Sequence, residues 1–156
     1  MKLCKGDMFK SGAADVIVFT GNSTIRRNGC LVMGRGAALE AQMRFYGCSR
    51  EFGRLLYIYN LHNYPRKNVS YGVLVHSTQV NPALALFQVK ERWHDDAKLE
   101  LIKNSTNMLD NLAKSIWKDK RIALNFPGIG YGRLRRKDVL PIIQSLPDNV
   151  EVWEYE

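Results

Sequence analysis

Two apolar runs, each leading directly into a glycine-rich segment, constrain the fold more than any other feature of this sequence. Residues 15–20 (DVIVFT) and 121–126 (RIALNF) consist mostly of apolar side chains and lack the strict polar alternation of a half-exposed strand. Such runs are typical of central strands that are covered on both faces. Glycine-rich residues 21–36 and 127–134 follow them and precede predicted helices. The pattern predicts an α/β protein with two loops at one edge of its sheet.

The remaining segments alternate between helix and strand patterns. The clearest helix is residues 97–117, where apolar residues recur at three- and four-residue spacing and Asp95 or Asp96 could cap the start. Shorter helices are predicted at residues 37–46 and 137–146, the second with Pro141 inside it. Further strands are predicted at residues 1–6, 54–61, 71–78, 84–90 and 150–155, with turns at 63–65 and 81–82. Together these elements predict one three-layer α/β/α domain, residues 1–156, with a mixed central sheet.

The charge of the chain favours an anionic partner. Lysine and arginine number 23 against 15 aspartates and glutamates, which gives a formal net charge of +8. Nucleic acid, nucleotides and phosphorylated ligands all fit this charge, and so does a solvated basic surface that binds none of them. No long basic tail and no RNA-binding aromatic motif decides among these alternatives.

Several classes of function lack their characteristic patterns. No run reaches the roughly 18 apolar residues of a membrane span, and residues 1–10 lack the apolar core of a signal peptide. The three cysteines show no CxxC spacing, which predicts reduced thiols and a cytoplasmic protein. His62, His76 and His94 show no zinc-binding spacing, so no metal site is predicted. The chain also lacks GxxxxGK[ST], GxSxG and a well-placed dinucleotide fingerprint.

The two glycine-rich loops are therefore the strongest candidates for a binding site. Backbone N–H groups that glycine exposes, together with a helix N-terminus, bind anions without any charged side chain. Two such loops at one sheet edge suit a pyrophosphate or a phosphosugar. The alternative is that the glycines only allow the chain to turn.

Four segments in this order resemble the macro domain, the ADP-ribose-binding module: KGDMF, ADVIVFTGNS, NGCLVMGRGAA and FPGIGYG. The resemblance covers most of the chain. LVMGRGAALEA and FQVKERWHDDAKLELI are similar to the branch of terminal ADP-ribose glycohydrolases, DNA ADP-ribosyl glycohydrolase antitoxins and ADP-ribose-1''-phosphate phosphatases. The resemblance implies a macro-domain fold and ADP-ribose or a related nucleotide as ligand, with no cofactor. It also implies ADP-ribosylated DNA or protein as candidate partners, for a protein expected to be a monomer.

The resemblance assigns roles to individual residues. Asp7 would contact adenine with Met8 beside it, Asn22 would bind the distal ribose, and Lys90 would act on its anomeric carbon. Asn22 and Lys90 are thus the expected catalytic residues. A depressed pKa would suit Lys90 to this role, whereas a charged strand end is ordinarily just solvated. The first phosphate loop would comprise Gly29, Met33, Gly34, Arg35, Gly36 and Ala37, and the second Pro127, Gly128, Ile129, Gly130, Tyr131 and Gly132.

Two departures from the family pattern leave catalysis open. Hydrolytic members carry an acidic residue shortly after the second loop, where this chain has Arg133 and further cations before Asp138. Phe19 also stands where commoner members have an asparagine. The sequence therefore supports two alternatives: a hydrolase of ADP-ribosyl linkages or of ADP-ribose-1''-phosphate, and a module that binds ADP-ribose without turnover. A basic nucleic-acid binder with a macro fold is a third.

Overall fold

The computed structural model describes residues 1–63, 70–77 and 81–155, and these form a six-stranded sheet between helices. The strands are β1 (Lys2–Lys5), β2 (Val16–Gly21), β3 (Val73–Val75), β4 (Ala83–Gln88), β5 (Ile122–Asn125) and β6 (Val150–Glu154). The helices are α1 (Ala37–Arg44), α2 (Cys48–His62), α3 (Leu99–Lys114) and α4 (Arg136–Ile143), with a 3₁₀ turn at Gly130–Gly132. The strand order is β1-β6-β5-β2-β4-β3, and β3 alone pairs antiparallel. The predicted α/β class and mixed sheet are confirmed.

Strand β2 lies at the centre and divides its side chains between two cores. Val16 and Val18 pack with α3 and α4, whereas Ile17 and Phe19 pack with α1 and α2. All four are buried, as the absence of polar alternation predicted. The buried Phe19 ring meets the Phe52 ring edge-on, with ring centroids 5.4 Å apart, so this position serves packing.

The predicted strand at residues 54–61 is wrong, because this segment belongs to α2. The residues that α2 buries include Cys48, Phe52 and Leu56, which recur every fourth position as on one face of a helix. Exposed Tyr57 and Leu61 add apolar residues to the opposite side. They fill the gaps in the helical pattern, so the sequence looks like a continuous apolar strand.

Smaller differences concern the ends of elements. Helix α3 begins after Lys98, whose backbone is extended, and no side chain caps it, so the expected cap by Asp95 or Asp96 is wrong. Only Val73–Val75 of the strand predicted at 71–78 is a strand, and residue 78 lies outside the described residues, as do 64 and 65 of the predicted turn. Pro141 lies within α4. None of the helices found in the described part of the chain is long and apolar enough to cross a membrane.

Candidate functional site

The two glycine-rich loops meet at one edge of the sheet. Strands β2 and β5 are parallel neighbours, with Val16 opposite Ile122 and Val18 opposite Leu124, so both loops leave from the same end. Strand β4 is the other parallel neighbour of β2, and its following segment joins them. The three segments enclose a cavity of about 460 Å³. Its lining residues are Thr20, Gly21, Asn22, Met33, Gly34, Arg35, Gly36, Ala37, Ala38, Val89, Lys90, Trp93, His94, Asp95, Asn125, Gly128, Ile129, Tyr131, Gly132 and Arg133.

In the first loop, the structure places Met33, Gly34, Arg35, Gly36 and Ala37 on the cavity. Gly34 and Gly36 have positive φ angles of 62° and 72°, which side chains other than glycine adopt only with strain. This local chain path leads directly into the first turn of α1. The backbone can therefore approach a ligand closely at a helix N-terminus.

Gly29 lies elsewhere in the same loop, away from the cavity lining. It belongs to a turn between Ile25 and Leu31, which form an isolated antiparallel bridge. Its carbonyl lies against Gly53 of α2, where an added Cβ would collide with it. The first loop thus passes so close to α2 that position 53 leaves no room for a side chain.

Asn22 is buried at the end of β2, and its side chain is largely occupied by its own loop. Its Oδ1 accepts a hydrogen bond from the Thr24 amide at 2.8 Å, and its Nδ2 donates to the Val32 carbonyl at 2.9 Å. Its backbone carbonyl accepts a hydrogen bond from the Tyr71 hydroxyl at 2.9 Å. One N–H of the Asn22 amide has no partner among these bonds, and it is the group available to a ligand.

The second loop places Gly128, Ile129, Tyr131 and Gly132 on the cavity, whereas Pro127 and Gly130 lie outside the lining. Gly128 has φ 79°, and a Cβ there would lie 2.7 Å from Cδ1 of Ile102 on α3. Only glycine adopts this left-handed backbone readily and also leaves room for Ile102, so position 128 needs glycine both for the turn and for the packing on α3. The Gly132 carbonyl accepts a hydrogen bond from the Ala97 amide at 2.9 Å, which ties the loop to the start of α3.

Arg35 and Tyr131 join the two loops across the cavity. The guanidinium carbon of Arg35 lies 5.5 Å from the centroid of the Tyr131 ring, within the range of a cation–π contact. Tyr131 is 62 % exposed, so the pair lies at the mouth of the cavity. This contact places a cation from the first loop against an aromatic ring of the second loop.

Lys90 lies on the cavity wall directly after β4. Burial is the main cause that lowers its pKa, Arg133 lowers it further, and the Asp95 and Asp96 carboxylates oppose the shift. Arg133 has a left-handed φ of 63° and lies 3.5 Å from the Asp96 carboxylate. A lysine in this environment holds its proton less tightly than usual, as a nucleophile or base requires.

The carboxylate expected after the second loop is missing from the cavity. Arg133 takes its place in the lining, and Asp138 lies in the first turn of α4, 2.8 Å from Arg135. Whether another group supplies an acid to the cavity is a separate question, since Asp95 on the third wall does line it.

Asp7 and Met8, the residues predicted to hold adenine, do not line the cavity. The Asp7 carboxylate accepts a hydrogen bond from the Phe9 amide at 2.9 Å, and Met8 is buried in the core beneath α1 and α2. The Asp7 carboxylate also acts on Tyr155. Burial is the main cause that raises the pKa of the Tyr155 phenol, and the negative charges of Asp7 and Glu40 raise it further. The adenine role of Asp7 and Met8 stays a prediction.

On the third wall, sequence reasoning missed Trp93, His94 and Asp95, which follow Lys90 along the chain. The cluster WHDD lies between a predicted strand and a predicted helix, within the family-like segment FQVKERWHDDAKLELI, but the resemblance assigned no site role to these three residues. Asn125 was also missed. It ends β5, and its Oδ1 accepts from the Thr20 amide at 3.0 Å while its Nδ2 donates to Thr20 Oγ1 at 2.9 Å. This pair fastens the ends of β2 and β5 together below the cavity.

Metal binding has no support among the residues that the structure describes, since no group of three or more His, Cys, Asp or Glu side chains there could hold an ion. Cys4, Cys30 and Cys48 are free thiols, and burial raises the pKa of Cys48 to about 12. The lining combines backbone amides, cations and the Lys90, His94 and Asp95 side chains.

This arrangement of sheet, loops and cavity is the macrodomain fold, as the resemblance predicted. The macrodomain of Thermus aquaticus DarG matches with a TM-score of 0.72 and 21% identity over 99% of this chain and 97% of that one. The macrodomain of Mycobacterium tuberculosis DarG matches with a TM-score of 0.71 and 22% identity over 98% and 96%. Thermosipho africanus DarTG in complex with ADP-ribose matches with a TM-score of 0.76 and 17% identity over all of this chain but 42% of that one. No family model and no curated protein sequence matches the chain.

Proposed function

We propose that this protein binds ADP-ribose or an ADP-ribose derivative in the cavity between its two glycine-rich loops. The observation that carries the proposal is the convergence of both loops, from parallel neighbouring strands, on one cavity of about 460 Å³. That volume suits a ligand of nucleotide size. The likeness to a DarTG structure solved with ADP-ribose supports the choice of ligand.

The two loops would share the diphosphate. Backbone amides near Gly34 and Gly36, at the start of α1, would meet one side, and those of residues 128–132 the other. Arg35 would add a positive charge at the mouth. Asp7 would contact adenine, with Met8 beside it in the chain, and the free N–H of Asn22 would meet the distal ribose.

We further propose that the protein hydrolyses a bond at the anomeric carbon of that ribose. Lys90 lines the cavity and has a lowered pKa, which supports a role as base or nucleophile. ADP-ribosylated DNA, ADP-ribosylated protein and ADP-ribose-1''-phosphate are the candidate substrates. The net charge of +8 favours a polyanionic acceptor, and therefore DNA, over a neutral one.

A binding module without turnover is the second candidate. Two observations favour it: most of the Asn22 amide is committed to Thr24 and Val32, and no carboxylate from the second loop lines the cavity. Such a module would recognise or sequester ADP-ribose. A nucleic-acid binder without an ADP-ribose site would have to use the basic surface instead.

Calorimetry with ADP-ribose tests the binding proposal. We expect a 1:1 complex with the wild type and loss of at least tenfold in affinity for Gly34→Val. Gly47→Val is the matched control, since both glycines have positive φ and open space around their Cβ positions, but Gly47 lies between α1 and α2. Equal affinities of the two variants, or no binding by the wild type at millimolar ligand, would contradict the cavity as the ADP-ribose site.

Turnover assays separate the two candidates. The wild type should release ADP-ribose from an ADP-ribosylated oligonucleotide or protein. Lys90→Ala should still bind free ADP-ribose but should not cleave either substrate. Wild-type binding without turnover on either substrate or on ADP-ribose-1''-phosphate would leave the binding module.

A further inference from the structure

The third wall of the cavity carries an imidazole and a carboxylate that the function proposed so far does not use. His94 and Asp95 line the cavity within five residues of Lys90. His94 Nε2 lies 3.8 Å from Asp95 Oδ1, and the imidazole meets the Trp93 ring edge-on with centroids 5.4 Å apart. The imidazole therefore has an aromatic ring and a carboxylate as neighbours, on the same wall as the lysine.

Backbone hydrogen bonds fix this wall relative to both loops. The Trp93 amide donates to Thr24 Oγ1 in the first loop at 3.1 Å. The Ala97 amide donates to Gly132 in the second loop at 2.9 Å. Between these anchors, the Asp95 amide donates to the Arg92 carbonyl at 3.1 Å. A site that needs a fixed geometry can therefore be built on this segment although it is a loop.

Among the residues that the structure describes, Asp95 also carries the one carboxylate that lines the cavity. Asp96 lies outside that lining and pairs with Arg133, and Asp138 pairs with Arg135 on α4. The carboxylate missing from the second loop thus has a counterpart on a different segment.

We propose that His94 is the general acid of the hydrolysis and that Asp95 is the positioning residue that orients its imidazole. This inference rests on the proposed hydrolysis at the distal ribose. It assigns the acid function, which the family pattern places after the second loop, to the segment between β4 and α3. At 3.8 Å the Asp95 carboxylate attracts a protonated imidazole by charge rather than through a direct hydrogen bond, and a positioned, protonated histidine is a common general acid.

The step balances without any further reagent. The oxygen of a water molecule bonds to the anomeric carbon, and the bond from that carbon to the acceptor breaks. The electron pair of the broken bond passes to the acceptor atom, which takes a proton from the protonated His94. The neutral Lys90 amine takes a proton from the attacking water. Solvent then returns a proton from Lys90 to His94, so the sum is one water consumed and one ADP-ribosyl bond broken.

Leaving-group dependence tests this assignment. One substrate carries the ADP-ribosyl group on 4-nitrophenol, whose anion leaves without a proton, and the other carries it on an aliphatic alcohol, which needs one. His94→Gln should lower kcat on the alcohol substrate about a hundredfold and on the nitrophenol substrate less than about threefold. Asp95→Asn should show the same selectivity with about a tenfold loss, and Asp95→Glu should restore part of it.

The control variant is His62→Gln, an exposed histidine near the end of α2 and away from the cavity. It should leave both substrates unaffected, and ADP-ribose affinity should change less than about threefold in every variant. Equal losses on both substrates, or no loss in His94→Gln, would overturn the assignment while hydrolysis stands. A wild type that binds ADP-ribose and turns over neither substrate would overturn the assignment and the hydrolysis together, and would leave the binding proposal intact.

Discussion

The two glycine-rich loops face the same cavity, but different interactions hold them in place. The first loop depends on polar side chains. The Asn22 amide forms hydrogen bonds with the backbone of Thr24 and Val32, and the Tyr71 hydroxyl donates a hydrogen bond to the Asn22 backbone carbonyl. The second depends on the absence of side chains, because Gly128 lies against Ile102 with a left-handed backbone. Glycine content alone therefore says little about how a loop is built. It indicates a backbone able to approach a ligand, and the surrounding contacts decide what the loop tolerates.

The largest effect should come from adding a side chain to the second loop. Gly128→Ala places a Cβ 2.7 Å from Ile102 in a conformation with φ 79°, so strain and overlap add. We expect a loss of about 3 kcal/mol in the free energy of unfolding, measured by urea denaturation. Gly130→Ala is the control, with φ 65° and open space around the Cβ, and should cost about 1 kcal/mol. Equal losses would mean that packing on α3 does not hold this loop.

The corresponding test of the first loop removes a side chain. Asn22→Ala leaves the Thr24 amide and the Val32 carbonyl without their partner, and we expect a loss of about 2 kcal/mol in unfolding free energy. Asn28→Ala is the matched control, because Asn28 makes the same kind of bond to the Cys30 amide at an exposed position. It should cost less than about 0.5 kcal/mol. A small loss for Asn22→Ala would remove the contrast between the loops.

A smaller effect measures the contact between the loops. A double-mutant cycle with Arg35→Gln and Tyr131→Leu should give a coupling energy of about 0.5 kcal/mol, as expected for an exposed cation–π pair. Urea denaturation of the four proteins provides the measurement. Additive losses would show that the loops are energetically independent at the cavity mouth.

The smallest effect concerns charge. Of the two loops, the second carries Arg133, the cation that lowers the pKa of Lys90. Arg133→Asn removes a cation that lowers the pKa of Lys90 and releases Asp96 from its pair, so the pKa of Lys90 should rise. Asparagine tolerates the left-handed backbone at this position. Arg35→Asn is the first-loop control and should leave the pKa of Lys90 unchanged. Nuclear magnetic resonance titration of the Lys90 side chain measures both, and a fall in Arg133→Asn would contradict the assignment.

The pH dependence of stability follows from the same group. Because the pKa of Lys90 is lower in the folded state, the unfolded chain binds more protons below the ordinary lysine pKa, and stability at this site rises with pH. Lys90→Met should therefore unfold at a higher urea concentration than the wild type at pH 7. The difference should shrink as the pH approaches 10.5.

Sequence reasoning found what depends on local pattern and missed what depends on loop folding. β2 and β5 were predicted correctly because a short apolar run directly before a glycine-rich segment fits a buried strand better than a helix. The positions of the two loops then followed from the ends of these strands. Residues 54–61 were misassigned because the exposed Tyr57 and Leu61 hide the helical spacing of α2. His94 and Asp95 could not be assigned, because their place on the cavity depends on bonds to Thr24 and Gly132, far away in sequence.

The position of Trp93 gives the cavity a built-in optical signal. This side chain is 51 % exposed on the third wall, whereas Trp117 is buried at 6 % and Trp153 is half-buried against the core. Emission from Trp93 in water should be red-shifted relative to that of Trp117, and a molecule entering the cavity should displace water from its ring. Unlabelled protein would thus report occupancy of the site by fluorescence, with Trp93→Phe as the silent reference.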